Sequence, residues 1–205
     1  SLIAELDLAE NQLQQVWGVL SNLNATRNTP ELRELYNQLL PELSRYYTEQ
    51  GQNQHLYQHY LSLHDAADFA GRSAAEQSAI TLALRDFRLS GVALEGVAKQ
   101  RFAAISERLS QLSSQFSDHL LDATQAFVLP LDDAQLSGLP ASSIALLRQL
   151  GQQRGLEGAA ATLDAPAYMA IQTYAEDRAL RETLYRAYVT RASELGDPAH
   201  DNSSL

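Results

Sequence analysis

Apolar residues recur every three or four positions through most of the chain, the period of a helix with one buried face. In the first segment Leu6, Leu13, Val16, Trp17, Leu20 and Leu23 fall on one stripe. The polar run from Asn22 to Asn28 then reads as a connection. Thr29-Pro30-Glu31 opens a second helix: Thr caps it, Pro suits its first turn, and Glu meets the positive end of the dipole. Its stripe is Leu32, Leu35, Leu39 and Leu43, continuing to Tyr46 or Tyr47. Pro41 lies inside that stripe and removes a backbone hydrogen bond, which predicts a kink or a split. Gly51 closes this stretch. A third helix, about 53–66, carries Leu56, Tyr60 and Leu63, and Gly71 breaks the pattern.

Ser73-Ala74-Ala75-Glu76 has the form of a capping box. The helix it opens carries Ile80, Leu84 and Phe87, and Gly91 suits the left-handed position that ends it. The longest pattern follows, from about 94 to 124, with Phe102, Ile105, Leu109, Leu112, Phe116 and Leu120 on one face. A helix of that length spans roughly 45 Å. It is the expected spine of the fold, so Phe116→Asp is expected to prevent soluble folding.

Past Ala123 the texture changes. Ala126-Phe-Val-Leu-Pro130 has the form of a short strand with proline at its edge. Leu136-Ser-Gly-Leu-Pro140 is a turn, Ser142 or Ser143 begins a short helix through Arg154, and 158–163 is a second strand despite its weakly β-forming alanines. Two more helices are expected, about 165–175 and 177–193, the second capped by Asp177. The fold class is therefore mainly α, an array of about seven or eight helices. A small two-stranded antiparallel β-ribbon lies near 126–130 and 158–163. Residues 1–124 form a helical bundle, and 125–193 a ribbon plus helices on the same lobe. The polar segment 194–205 is expected to be an exposed, mobile tail.

Composition narrows the function classes. The chain has 205 residues, 45% of them hydrophobic, enough for one substantial core. A net charge of −10 with a single lysine, Lys99, argues against nucleic acid, whose binding needs clustered cations. No apolar run is long enough to span a membrane. Without cysteine, disulfides and thiolate metal sites are excluded, which fits a reducing compartment.

The chemistry-bearing residues form no active site. His55 and His59 share a helical face at the spacing zincins use, but the position after the first histidine, where a glutamate activates the metal-bound water, is Leu56. His64 lies about 140° further round the helix. This pair reads as semi-exposed surface histidines, with a small metal site as the weaker alternative. Ser117, Asp118 and His119 are adjacent in sequence and so point apart on a helix. Asp132 and Asp133 precede a turn and read as capping groups. Gly151 to Gly158 is glycine-rich but leaves a helix and does not open one, so it is no nucleotide loop. Asn24-Ala25-Thr26 matches a glycosylation sequon, without meaning in a cytosolic protein. Tyrosines 46, 47, 57, 60, 168, 174, 185 and 188 could line a peptide channel or sit at the core edge, the latter being the more ordinary role. No catalytic or metal-ligating residue is assigned, and substrate-binding residues are unknown.

Several stretches resemble one family when taken as an ordered set. They are Asn28-Thr-Pro-Glu-Leu-Arg-Glu-Leu-Tyr36, Ala83-Leu-Arg-Asp-Phe-Arg-Leu-Ser-Gly91, Arg108 to Thr124, Thr162-Leu-Asp-Ala-Pro-Ala-Tyr168, Arg181 to Ser193, and Asp201-Asn-Ser203. The set is similar to the N-terminal helical region of the thimet oligopeptidase family of zinc metallopeptidases. The resemblance implies a parent enzyme that binds one zinc through an H-E-x-x-H helix and a distant Glu. Such an enzyme hydrolyses oligopeptides in a channel between two helical lobes. Bacterial members are cytoplasmic and degrade peptides that include cleaved signal peptides. The zinc helix of the family lies downstream of the part resembled here, so the zinc ligands are expected outside this chain. These residues would then be an inactive piece of one lobe that serves as scaffold and channel wall. The parent is expected to be monomeric, and the piece to self-associate through its cut surface. The alternative is a stand-alone helical module that binds a peptide or protein without cleaving it.

Overall fold

A computed structural model describes residues 2–205, with side chains described from Glu5 onward. The described residues form eight α-helices and two short strands. The order is α1 (Leu2–Thr26), α2 (Pro30–Gly51), α3 (Gln54–His64), α4 (Ala74–Leu89), α5 (Gly96–Ala126), β1 (Val128–Leu131), α6 (Ala141–Gln153), β2 (Ala159–Thr162), α7 (Ala165–Tyr174) and α8 (Arg178–Thr190). The mainly helical class and the antiparallel ribbon are both present. β1 pairs with β2 from Val128 opposite Thr162 to Leu131 opposite Ala159. The chain divides into two compact units between Leu112 and Ser113, inside α5.

In the first unit the local start signals act as expected. Thr29 accepts a hydrogen bond from the Leu32 N–H, Asn53 accepts from Leu56, and Ser73 with Glu76 closes a complete capping box. The hydroxyl and N–H of Ser73 hold the Glu76 carboxyl below its ordinary range. That stabilisation is present above the ordinary glutamate range and is lost as pH falls through the lowered value.

One expectation for this unit is corrected, and of the two outcomes expected at Pro41 the split does not occur. The supposed connection at Asn22–Asn28 is helical through Thr26. The Thr26 hydroxyl donates to the Asn22 carbonyl at 2.7 Å and the Asn28 amide to the Asn24 carbonyl at 2.6 Å. Polar side chains thus satisfy the last carbonyls and do not break the helix. Asn28 then turns the chain at φ 41°, a conformation asparagine tolerates. Pro41 does not split α2, which runs unbroken from Pro30 to Gly51. One missing hydrogen bond costs less than giving up the turns on either side. Packing comes from Trp17 stacked on Tyr36 at 4.9 Å and from Phe87, which meets the rings of Tyr57 and Tyr60 at 5.8 and 5.7 Å.

The second unit holds a compact core. Leu147, Ile171 and Leu184 are fully buried, surrounded by Leu131, Leu136, Leu139 and Leu180. Every residue of β2, Ala-Ala-Ala-Thr, is buried. Alanine wins there because space is short: a carbon added to Gly151 of α6 would lie 2.0 Å from the Gly158 carbonyl oxygen. Close approach of α6 to β2 therefore leaves room only for small side chains, and burial overrides strand propensity. Asp177 caps α8 through the N–H groups of Ala179 and Leu180. Most of 194–205 is exposed. Asn202 nevertheless bonds the carbonyls of Ala192 and Phe116, each at 3.1 Å.

The expectation that α5 is a buried spine is not met. None of its residues is buried, and Ile105, Leu109 and Phe116 are 50%, 57% and 50% exposed. Helical periodicity shows that a face is apolar but not what covers it, and among the described residues this face is left largely open. Phe116→Asp is accordingly expected to change stability by no more than about 0.5 kcal/mol, the usual limit for an exposed site. Thermal melting of the variant checks this.

Candidate functional site

The first unit contains a cleft of about 420 Å³. Asp7 and Glu10 of α1, Tyr46 and Tyr47 of α2, Tyr60 of α3 and Asp86 of α4 converge on it. The spacing explains the placement: Asp7 and Glu10 are three apart on one face of α1. Tyr46 and Tyr47 form an edge-to-face pair at 5.2 Å. Glu10 is the most heavily bonded group. It accepts from the Tyr47 hydroxyl at 2.7 Å, the Gln14 amide at 3.0 Å and the Tyr46 hydroxyl at 3.3 Å. Gln50 donates to the Tyr46 hydroxyl at 3.2 Å, which fixes that ring from its other side. Asp86 is balanced by Arg85 at 2.7 Å.

Burial pushes the Tyr47 hydroxyl up to about 12, and the bond to and charge of Glu10 add to it. Burial also raises Tyr60, helped by the charge of Asp7. The sign follows from linkage. A folded tyrosine with a raised value favours folding below the ordinary phenol range near 10.0, and that contribution is lost as pH rises towards about 12. In Glu10→Gln the Tyr47 hydroxyl is expected to ionise at lower pH. Phenolate absorbance in an alkaline titration, with Tyr47→Phe identifying the signal, checks this. An unchanged titration would contradict the Glu10–Tyr47 contact. Chemically, three phenol rings beside Asp7 and Glu10 suit an organic cation, which gains from ring faces and carboxylates together.

The tyrosines singled out in the sequence therefore separate. Tyr46, Tyr47 and Tyr60 line this cleft. Tyr57 packs on Phe87. In the second unit Tyr168 stacks on Tyr188 at 4.1 Å, while Tyr174 and Tyr185 are exposed. Asp7 and Glu10 escaped the sequence reading because acids on an amphipathic helix look like a solvated face. Their spacing, matched against paired tyrosines, was the available signal.

The other candidates take ordinary roles. His55 and His59 are exposed, and His64 bonds Asp65 at 2.9 Å. Ser117 donates to the Ser113 carbonyl of its own helix at 2.9 Å. Asp132 accepts the Gln135 N–H at 2.9 Å, and Asp133 lies 3.9 Å from Arg148. Of the glycines from 151 to 158, Gly151 inside α6 serves close packing, and Gly155 turns the chain at φ 74°. Among the described residues no three imidazoles or carboxylates gather into a set able to hold a metal ion. With Leu56 after His55 and no third ligand, the residues present do not fit a catalytic zinc.

Compared with known proteins, residues 1–99 match the neurolysin/thimet oligopeptidase N-terminal domain. The chain is thus similar to the N-terminal region of the thimet oligopeptidase family. Over its full length it is 44% identical to oligopeptidase A of Haemophilus influenzae. It is 43% identical, over 99% of the chain, to oligopeptidase A of Escherichia coli. It is also 36% identical over its full length to the probable cytosolic oligopeptidase A of Arabidopsis thaliana. In each case it spans 30% of the relative's length. No helix among the described residues is long and apolar enough to cross a membrane.

Proposed function

We propose that the chain is part of a zinc-dependent metalloendopeptidase that hydrolyses short peptides, cleaved signal peptides among them, in the cytoplasm. These residues supply scaffold and a stretch of substrate-channel wall. The observation that carries this reading is the similarity to oligopeptidases A, which runs through the whole chain. The zinc ligands and the general base lie outside these 205 residues, since none of the histidines here sits in a fitting set. The full enzyme acts as a monomer on oligopeptides.

The acid and tyrosine cleft is where this part touches peptide. An N-terminal ammonium or a basic side chain would lie over the rings of Tyr46 and Tyr60 and face the carboxylates of Asp7 and Glu10. Fluorescence anisotropy of a labelled oligopeptide with a free N-terminus, against its acetylated form, tests this. The free amine is expected to bind roughly threefold to tenfold more tightly, and Asp7→Asn with Glu10→Gln to abolish the preference. Equal binding of the two peptides would remove the cleft from the account. The exposed Ile105 and Leu109 favour a second reading, a helical module that binds a partner without cleavage. A coding sequence that continues past Leu205 into an H-E-x-x-H segment decides for the enzyme, and a stop codon there decides for the module.

A further inference from the structure

The second unit contains another cleft, of about 310 Å³, that the peptidase reading does not use. Its walls are mainly apolar, with Phe127, Leu163 and Leu195 the largest side chains. Four polar residues join them: Thr190, whose hydroxyl is committed to the Arg186 carbonyl, and Arg191, His200 and Asp197. Arg191 Nε and His200 Nδ1 are both buried and without a hydrogen-bond partner.

The rest of Arg191 is fixed. One terminal nitrogen donates to the Tyr188 carbonyl, and the guanidinium carbon lies 3.7 Å from the centre of the Tyr188 ring. Among the described residues no carboxylate lies within ion-pair distance of it. Asp197, the acid on the wall, is committed elsewhere. Its Oδ1 accepts the Ala199 N–H at 2.9 Å, and its Oδ2 stands 4.0 Å from His200 Nδ1, too far for a hydrogen bond.

A guanidinium partly withdrawn from water and given no acid is costly, and the cost falls when an anion enters. Water could take the free N–H but could not balance the charge. The geometry points to a binding site for a small monocarboxylate bearing a short apolar substituent. The carboxylate accepts from Arg191 Nε, in the side-on manner guanidinium groups favour. His200 Nδ1 donates to the same group when it carries the proton. The substituent lies against Phe127, Leu163 and Leu195. A dianion such as phosphate suits the cleft less, because the Asp197 carboxylate and the apolar walls oppose it. This site does not depend on the peptidase reading.

Isothermal titration of the chain with N-acetyl-leucine, N-acetyl-leucinamide and inorganic phosphate tests it. The acid is expected to bind at least roughly tenfold more tightly than the isosteric amide, the scale of one charge-assisted bond, with phosphate weaker than the acid. Followed by NMR, the His200 ring resonances are expected to shift on addition of the acid and not of the amide. Arg191→Gln and His200→Asn are each expected to reduce the preference for acid over amide. If Arg191→Gln does not fold, the comparison of acid with amide on the unaltered chain still decides. Acid and amide binding alike, neither binding, or phosphate binding more tightly than the acid would each overturn the site.

Discussion

Replacing Gly151 with alanine is expected to destabilise the second unit by roughly 3 kcal/mol, at the upper end for overpacking in a core. The added methyl would meet the Gly158 carbonyl oxygen at 2.0 Å and the Ala160 nitrogen at 3.3 Å. Both are backbone atoms, so no side chain can swing aside. Either α6 lifts off β2 or the strand bends, and each opens the packing around Leu147 and Ala161. Gly18→Ala is the matched control. Nothing lies within 4 Å of a carbon added at that point of α1, so the same change should be neutral or stabilise by up to about 1 kcal/mol through helix propensity. Urea unfolding followed by circular dichroism compares the two. Equal effects would mean that α6 and β2 are not in the close contact described.

The second large effect is expected at Leu184, which is fully buried on α8. Leu184→Ala removes three carbons from a close-packed site and leaves a cavity, at a cost of roughly 2–5 kcal/mol. Leu109→Ala deletes the same atoms from a residue that is 57% exposed, and should cost a few tenths of that. The ratio of the two losses in denaturant midpoint measures where the core lies. A larger loss at Leu109 than at Leu184 would restore α5 as the spine and contradict the burial described.

Much of the fold was legible because its signals are local. The capping box at Ser73, the cap and proline at Thr29-Pro30, the Asp177 cap and the left-handed Gly91 each act within one turn, and each is present. The ribbon was legible from its flanks: a proline at one strand, glycines at the other and a helix between them. The expectation for α5 failed because burial depends on distant partners. The stripe from Phe102 to Leu120 is as regular as any in the chain, yet regularity says nothing about what meets it. The polar run from Asn22 to Asn28 has the composition of a connection, yet its side chains bond carbonyls one turn back and complete the helix end. The cleft was half legible. Its tyrosines stood out by number, but Asp7 and Glu10 became meaningful only once α1 and α2 were seen to bring them against Tyr46 and Tyr47. Arg191 and His200 gave no sequence signal, because an orphaned donor is a property of surroundings.

The central claim is that these residues build part of a peptidase without performing its chemistry. Incubating the purified chain with a quenched fluorescent oligopeptide, with and without added zinc, tests that directly. The account predicts no hydrolysis above buffer in either condition. Turnover that follows the chain through repurification and disappears in His59→Ala would contradict it.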